Sequence, residues 1–137
     1  MSQESVEIVE IVERVIAAFN DHDADLVASY VCPDTEADWS ASLAPYRGVY
    51  RGPDEWREWL RSRWEVWGDA RWEPLEWVIL NETRLLTVIR LVATGRGSGL
   101  DVTATAGVIW TIDRGKIARA TLFQSKDEAL EAAGRSE

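Results

Sequence analysis

The sequence predicts an α+β domain, and three observations carry that prediction. Apolar residues in the first half recur at helical spacing. The second half holds long runs rich in Val, Ile, Thr, Leu and Trp. Turn signals separate those runs: Asn81-Glu82, GRGSG at 95–99 and DRG at 113–115. Helices first and strands after are the α+β arrangement. A curved antiparallel sheet must cover one face, and amphipathic helices can do so. A chain of 137 residues fits one domain and needs no metal or disulfide to complete its core.

Residues 5–20 read as the first helix, with Ile8, Ile11, Val12, Val15, Ile16 and Phe19 on one face. NDHD at 20–23 breaks it, and Asp23 is an N-cap for a second short helix through Tyr30, which Pro33 and Asp34 end. TEADWSA at 35–41 reads as a short strand, followed by a loop to Arg51. Gly52-Pro53 opens the third helix, with Asp54 and Glu55 in its first turn and Gly68 as its C-cap. On this helix Trp56, Trp59, Leu60, Trp64 and Trp67 fall in an arc of about 140°. Arg63 projects from the middle of that arc. Residues 71–80, 84–95, 100–112 and 116–124 read as an antiparallel meander. Ser125 and Glu128 form a capping box for a last short helix that Gly134 closes.

Composition excludes several function classes. The net charge is -9, and the fifteen basic residues are scattered without a basic stripe, so nucleic acid is not an expected partner. Cys32 and His22 are each the only residue of their kind, which argues against a disulfide and against a zinc site. No cofactor is implied. The N-terminus has no signal-peptide pattern, and no apolar run approaches about 18 residues. The expectation is a cytoplasmic protein with no membrane partner.

Four stretches carry a family resemblance: IVERVIAAFNDHDADLVASYVCPD at 11–34, YRGPDEWREWL at 50–60, GRGSGLDV at 95–102 and VIWTIDRGKIARATLFQSKDEALEAAG at 108–134. Their order and spacing resemble the nuclear transport factor two-like superfamily and, within it, the SnoaL-like group. The resemblance implies one cone-shaped domain over residues 1–137. Its curved antiparallel sheet packs on three N-terminal helices, a short C-terminal helix follows, and a pocket opens at the wide end. Homodimers through the outer sheet face are common in the family. Function does not follow from such a fold. The family's steroid isomerase pattern, counted onto this chain, falls on Trp39 for the general base, Val15 for the helix-one Tyr and Gly107 for the second acid. All three are apolar or lack a side chain. A one-residue slip would put Asp38 at the base position, pointing to the opposite face. Where relatives often carry a His, this chain has Asp38 and Val108. Arg90 and Asp101 are the residues available for an epoxide-hydrolase-like relay.

Six of the eight Trp residues lie between 52 and 77, either as core or as pocket lining. The candidate ligand-binding set is Trp39, Tyr46, Tyr50, Trp56, Leu60, Arg63, Trp64, Thr105, Gly107 and Gln124. Thr103 shares the parity of Thr105 and Gly107. The weak catalytic candidates are Asp38, Glu76 and Tyr50, with Tyr46, Tyr50 or Arg63 stabilising an oxygen. Arg63 either snorkels to water or offers its guanidinium to a carboxylate or enolate. Glu76 on the adjacent strand is the acid expected to pair with Arg90, as a structural ion pair or as an acid/base site. Alternation places Trp72 and Trp77 on opposite faces, and Trp110 is a dimer-contact candidate. Cys32 reads as a small buried hydrophobe, and His22 as a loop residue. The favoured function is recognition of a small hydrophobic or aromatic ligand, polyketide-like or terpenoid, with or without isomerase, cyclase or hydrolase chemistry on it. The alternative is a non-catalytic binding or dimer-forming interaction protein.

Overall fold

The computed structural model of the chain describes residues 2–42 and 48–135. Helix α1 spans Gln3–Asn20, α2 Ala24–Ser29, α3 Gly52–Val66 and α4 Lys126–Arg135. The strands are β1 Val31–Asp38, β2 Val49–Arg51, β3 Arg71–Ile79, β4 Arg84–Thr94, β5 Asp101–Asp113 and β6 Lys116–Phe123. They form one sheet in the order β2-β1-β6-β5-β4-β3.

Local chemistry sets the element ends. Ser2 caps α1 by accepting from Ser5 N, and Asp23 caps α2 by accepting from Leu26 N at 3.0 Å. Glu128 N donates to Ser125 Oγ at 3.1 Å at the start of α4. Between β5 and β6, Arg114 and Gly115 have φ of 54° and 77°. Two successive positive φ values in a two-residue loop give the tight hairpin whose twist matches its strands.

The four long strands pair antiparallel, as expected. Two features differ. β1 starts at Val31, so Pro33 sits inside a strand rather than ending a helix. β1 also runs parallel to β6 and antiparallel to the short β2, which forms in the stretch expected as a loop. Proline fits there because the pairing is irregular between Val31 and Glu36, so its missing N–H removes no regular ladder bond.

One sheet face packs on α1–α3 and the other carries α4. The inner core joins Ile8, Val12, Val15, Ile16 and Phe19 of α1 to Trp56, Trp59, Leu60 and Trp64 of α3 and to inward residues of the sheet. A second, smaller cluster joins Ala129 and Ala133 of α4 to Leu86 and Ile109 on the outer face. Asn20 clamps α1 to β3: its amide donates to Trp72 O at 3.0 Å and accepts from Trp72 N at 2.8 Å.

Strand parity is reset by one bulge. Pro74 pairs with Ile89 and Glu76 with Val88, which leaves Leu75 as an extra residue. Trp72 faces Leu91 and Trp77 faces Thr87, and those two β4 residues share the inner face. Trp72 and Trp77 therefore lie on the same face, against the simple alternation expected from sequence. The bulge also moves Glu76 away from Arg90, whose partner is Glu73 at 3.5 Å. Glu76 instead accepts from Lys126 of α4 at 2.6 Å. Trp110 is fully buried, and its indole N–H donates to Thr87 Oγ1 at 3.0 Å. It belongs to the core rather than to an exposed dimer contact.

Candidate functional site

Most of the Trp-rich stretch builds a continuous aromatic core. Phe19 stacks on Trp72 at 3.9 Å and meets Trp64 at 5.5 Å. Trp39 bridges Trp72 and Trp59, at 6.0 and 5.0 Å. Trp56 meets Trp59 edge-on, and Tyr50 stacks on Trp59 at 4.8 Å. Tilted and offset ring pairs of this kind add to the area they bury. Trp39, Trp56 and Leu60 are 2 % exposed or less. They fill the cone rather than line a space. The indole N–H groups of Trp56, Trp59, Trp64 and Trp72 are buried with no partner among the described residues.

Open space begins where this core ends, beside Trp67 and along β4 and β5. A cavity of about 320 Å³ is lined by Trp67, Leu91, Val102, Ala104, Thr105, Ala106, Leu122 and Phe123, with Ser42 and Gln124 among its walls. A smaller one of about 100 Å³ shares Trp67, Leu91, Val102 and Ala104, and adds Arg63, Ala70, Arg71, Val92 and Ala93. The two chambers adjoin along these four shared walls. Space exists here because the inward positions 93, 104 and 106 are alanine. Farther along the same strand, the inward positions 108, 110 and 112 carry Val, Trp and Ile and close the core.

The polar groups of this site are few. Gln124 Nε2 donates to Ala41 O at the mouth. Ser42 is buried, with its backbone N–H donating to Trp39 O. Arg63 is half-buried, and its guanidinium carbon lies 5.7 Å from the Phe19 ring centre and 5.9 Å from that of Trp59. It turns inward over ring faces instead of snorkelling to water. No carboxylate lines either chamber among the described residues. Segment 43–47, which includes the candidate Tyr46 and lies outside those residues, contains no Asp or Glu.

The other sequence candidates fall elsewhere. Trp64 stacks with His22 at 4.7 Å beside a surface groove that Arg61, Glu65 and Arg96 complete. His22 Nε2 lies 3.0 Å from Ala70 O, so a neutral ring there donates from Nε2 and pins the α1–α2 corner to the start of β3. Tyr50 lines a separate groove beside α3 with Glu55, Glu58 and Ser62. Asp38 alternates with the inward Ala37 and Trp39 and points to the outer face, where it shares a cavity of about 330 Å³ with Arg84, Thr111, Arg119 and Thr121. Thr103, Thr105 and Gly107 have outer-face parity, and only Thr105 reaches the edge of the large chamber. A side chain at Gly107 would meet Ser125 O at 3.1 Å and Ala129 Cβ at 3.3 Å, so this glycine admits α4 rather than a ligand. Cys32 is buried, and its thiol is held above the ordinary value by that burial, then by Asp113 and Asp34. Among the described residues no His, Cys, Asp and Glu group gathers as a metal site, and no helix is long and apolar enough to cross a membrane.

Trp67 is a wall outside the candidate set, and the even positions of β5, not the odd Thr105 and Gly107, turn inward. The usable signal was Val108, Trp110 and Ile112. Three bulky apolar residues at even positions mark the even face as inward and bring Val102, Ala104 and Ala106 with it.

Residues 12–120 match the family model of the SnoaL-like domain. No curated protein matches the sequence. Three of the solved structures that are similar in fold illustrate the range. One is a protein with a ketosteroid isomerase-like fold from Catenulispora acidiphila, in complex with trimethylamine. It has a TM-score of 0.75 and 11% identity over 91% of this chain and 92% of that one. TerC, co-crystallised with polyporic acid, has a TM-score of 0.74 and 21% identity over 93% and 98%. SalBIII, an epoxide hydrolase/cyclase-like enzyme of pyran ring formation in the polyether salinomycin, has a TM-score of 0.75 and 18% identity over 93% and 96%.

Proposed function

The chain belongs to the SnoaL-like family, and on that footing we propose that it binds a small hydrophobic or aromatic metabolite in the two-chambered cavity beside Trp67. One observation carries this reading. The core is sealed by aromatic rings, yet the neighbouring walls are apolar, alanine-rich and open, with a few polar groups at defined places. That is the usual make-up of a small-molecule site. Two similar proteins were crystallised with small molecules, trimethylamine and polyporic acid, which supports small-molecule binding in general.

Binding without proton transfer is the favoured form of this proposal. Isomerase or hydrolase chemistry of the acid–base kind needs a carboxylate or imidazole within reach of the ligand. The described lining has neither, and Asp38 and Glu76 both lie on the outer face. Fold kinship with SalBIII supports the second reading, conversion of the ligand with Arg63 stabilising a developing oxygen charge. The homodimer through the outer sheet face is part of the proposal too, sharing that face with α4.

The test is a fluorescence titration with terpenoids, polyketide-like carbonyl compounds and aromatic acids, since Trp67 lies on the wall. A saturable change is expected, lost in Ala104→Leu and kept in Asp38→Asn. NMR of the bound compound after prolonged incubation separates the two readings, because unchanged ligand means binding alone. A response that survives Ala104→Leu would place the ligand elsewhere and refute the proposal.

A further inference from the structure

Both charged residues that line the chambers, among the described residues, are arginines: Arg63 and Arg71. This is unexpected in a chain of net charge -9. We infer that the cavity selects small hydrophobic acids and holds the anionic oxygen, carboxylate or enolate, inward against Arg63. The inference rests on the cavity being the ligand site, as proposed above.

Three features lead there. A guanidinium keeps its charge at every pH the protein meets, so Arg63 presents a permanent cation to an apolar chamber. The Phe19 and Trp59 ring centres lie 5.7 and 5.9 Å from its guanidinium carbon, and ring faces attract a cation while leaving it charged. The polar groups of the larger chamber, Ser42 and Gln124, are neutral. The site is therefore polarised, with positive charge in the small chamber and uncharged hydrogen-bonding groups toward the mouth. An aryl or polycyclic acid fits that order, with its ring system in the about 320 Å³ space and its charged group in the about 100 Å³ space.

The surface acids do not overrule this. At physiological ionic strength charges are screened beyond about 8 Å. A contact with Arg63 inside a low-dielectric wall is screened far less. The net negative charge slows the approach of an acid, while the local cation governs its dissociation.

The experiment compares 2-naphthoate with methyl 2-naphthoate by calorimetric titration of the full chain. The two share a ring system and differ in the charge. The acid is expected to bind about ten- to a hundredfold tighter, the range for a hydrogen bond to a charged group. Arg63→Met should erase that preference and still bind the ester. Should Arg63→Met fail to fold, Arg63→Lys serves: it keeps the charge, loses the planar fork, and should weaken the acid several-fold while leaving the ester unchanged. Equal binding of acid and ester to the wild type would overturn the inference and leave the apolar-cavity proposal standing. So would an acid preference that Arg63→Met leaves intact, or one unmoved in Arg63→Lys when Arg63→Met does not fold. Binding of neither probe would count against the cavity proposal itself, and the inference with it.

Discussion

Replacing Thr87 by valine strands the indole N–H of Trp110. Both residues are 0% exposed, and the hydrogen bond between them is 3.0 Å long. Valine keeps the shape of threonine, so the packing stays and the acceptor goes. A buried donor left without a partner costs about 1–3 kcal/mol. For a chain of this size that lowers Tm by about 3–5 °C per kcal/mol. Trp110→Phe has its own cost, from lost packing and from a Thr87 hydroxyl left without this donor. In the double variant neither polar group is stranded. We expect it to be less destabilised than the sum of the single variants by about 1–2 kcal/mol. Urea unfolding followed by circular dichroism measures all four proteins without relying on indole emission. Additivity within about 0.5 kcal/mol would refute the reading that this bond helps hold Trp110 in the core. A Tm loss confined to Trp110→Phe and dependent on protein concentration would refute it differently, by returning Trp110 to a subunit contact.

Gly107→Ala should destabilise the chain by about 1–3 kcal/mol and loosen α4, because the added carbon presses on Ser125 O, Ala129 and Leu86. Hydrogen exchange in α4 reads this, and an unperturbed α4 would return Gly107 to an open wall. Cys32 makes stability fall at high pH. The folded chain holds the thiol proton while the unfolded chain releases it near its ordinary 9.0, so stability is full below that value and drops as the pH climbs past it. Cys32→Ala should flatten that part of the pH–stability curve; an unchanged slope above pH 9 would assign it to other groups.

Periodicity along the chain decided much of this protein in advance. The α1 and α3 faces and the four-strand meander follow from local spacing, and so do the caps at Asp23 and Ser125. Each depends on residues within a few positions of one another. Trp39 is buried in the core while Asp38 faces out, as the alternation of side chains along β1 requires.

Other features depended on contacts that local spacing does not encode. One extra residue at Leu75 shifts the parity of half a strand, so Trp77 joins the face of Trp72 and Glu76 leaves Arg90 for Lys126. The placement of α4 on the outer face decides that Gly107 is a packing surface. The Trp-rich face of α3 raised the question of core or pocket, and its rings were divided by what stands opposite them. Where β5 supplies Val108, Trp110 and Ile112, the space is filled. Where β4 and β5 supply Ala93, Ala104 and Ala106, Trp67 is left beside a cavity. A helix pattern reports which side chains turn inward; whether they meet other side chains or empty space is a sum of volumes from distant strands, and only the folded chain performs that sum.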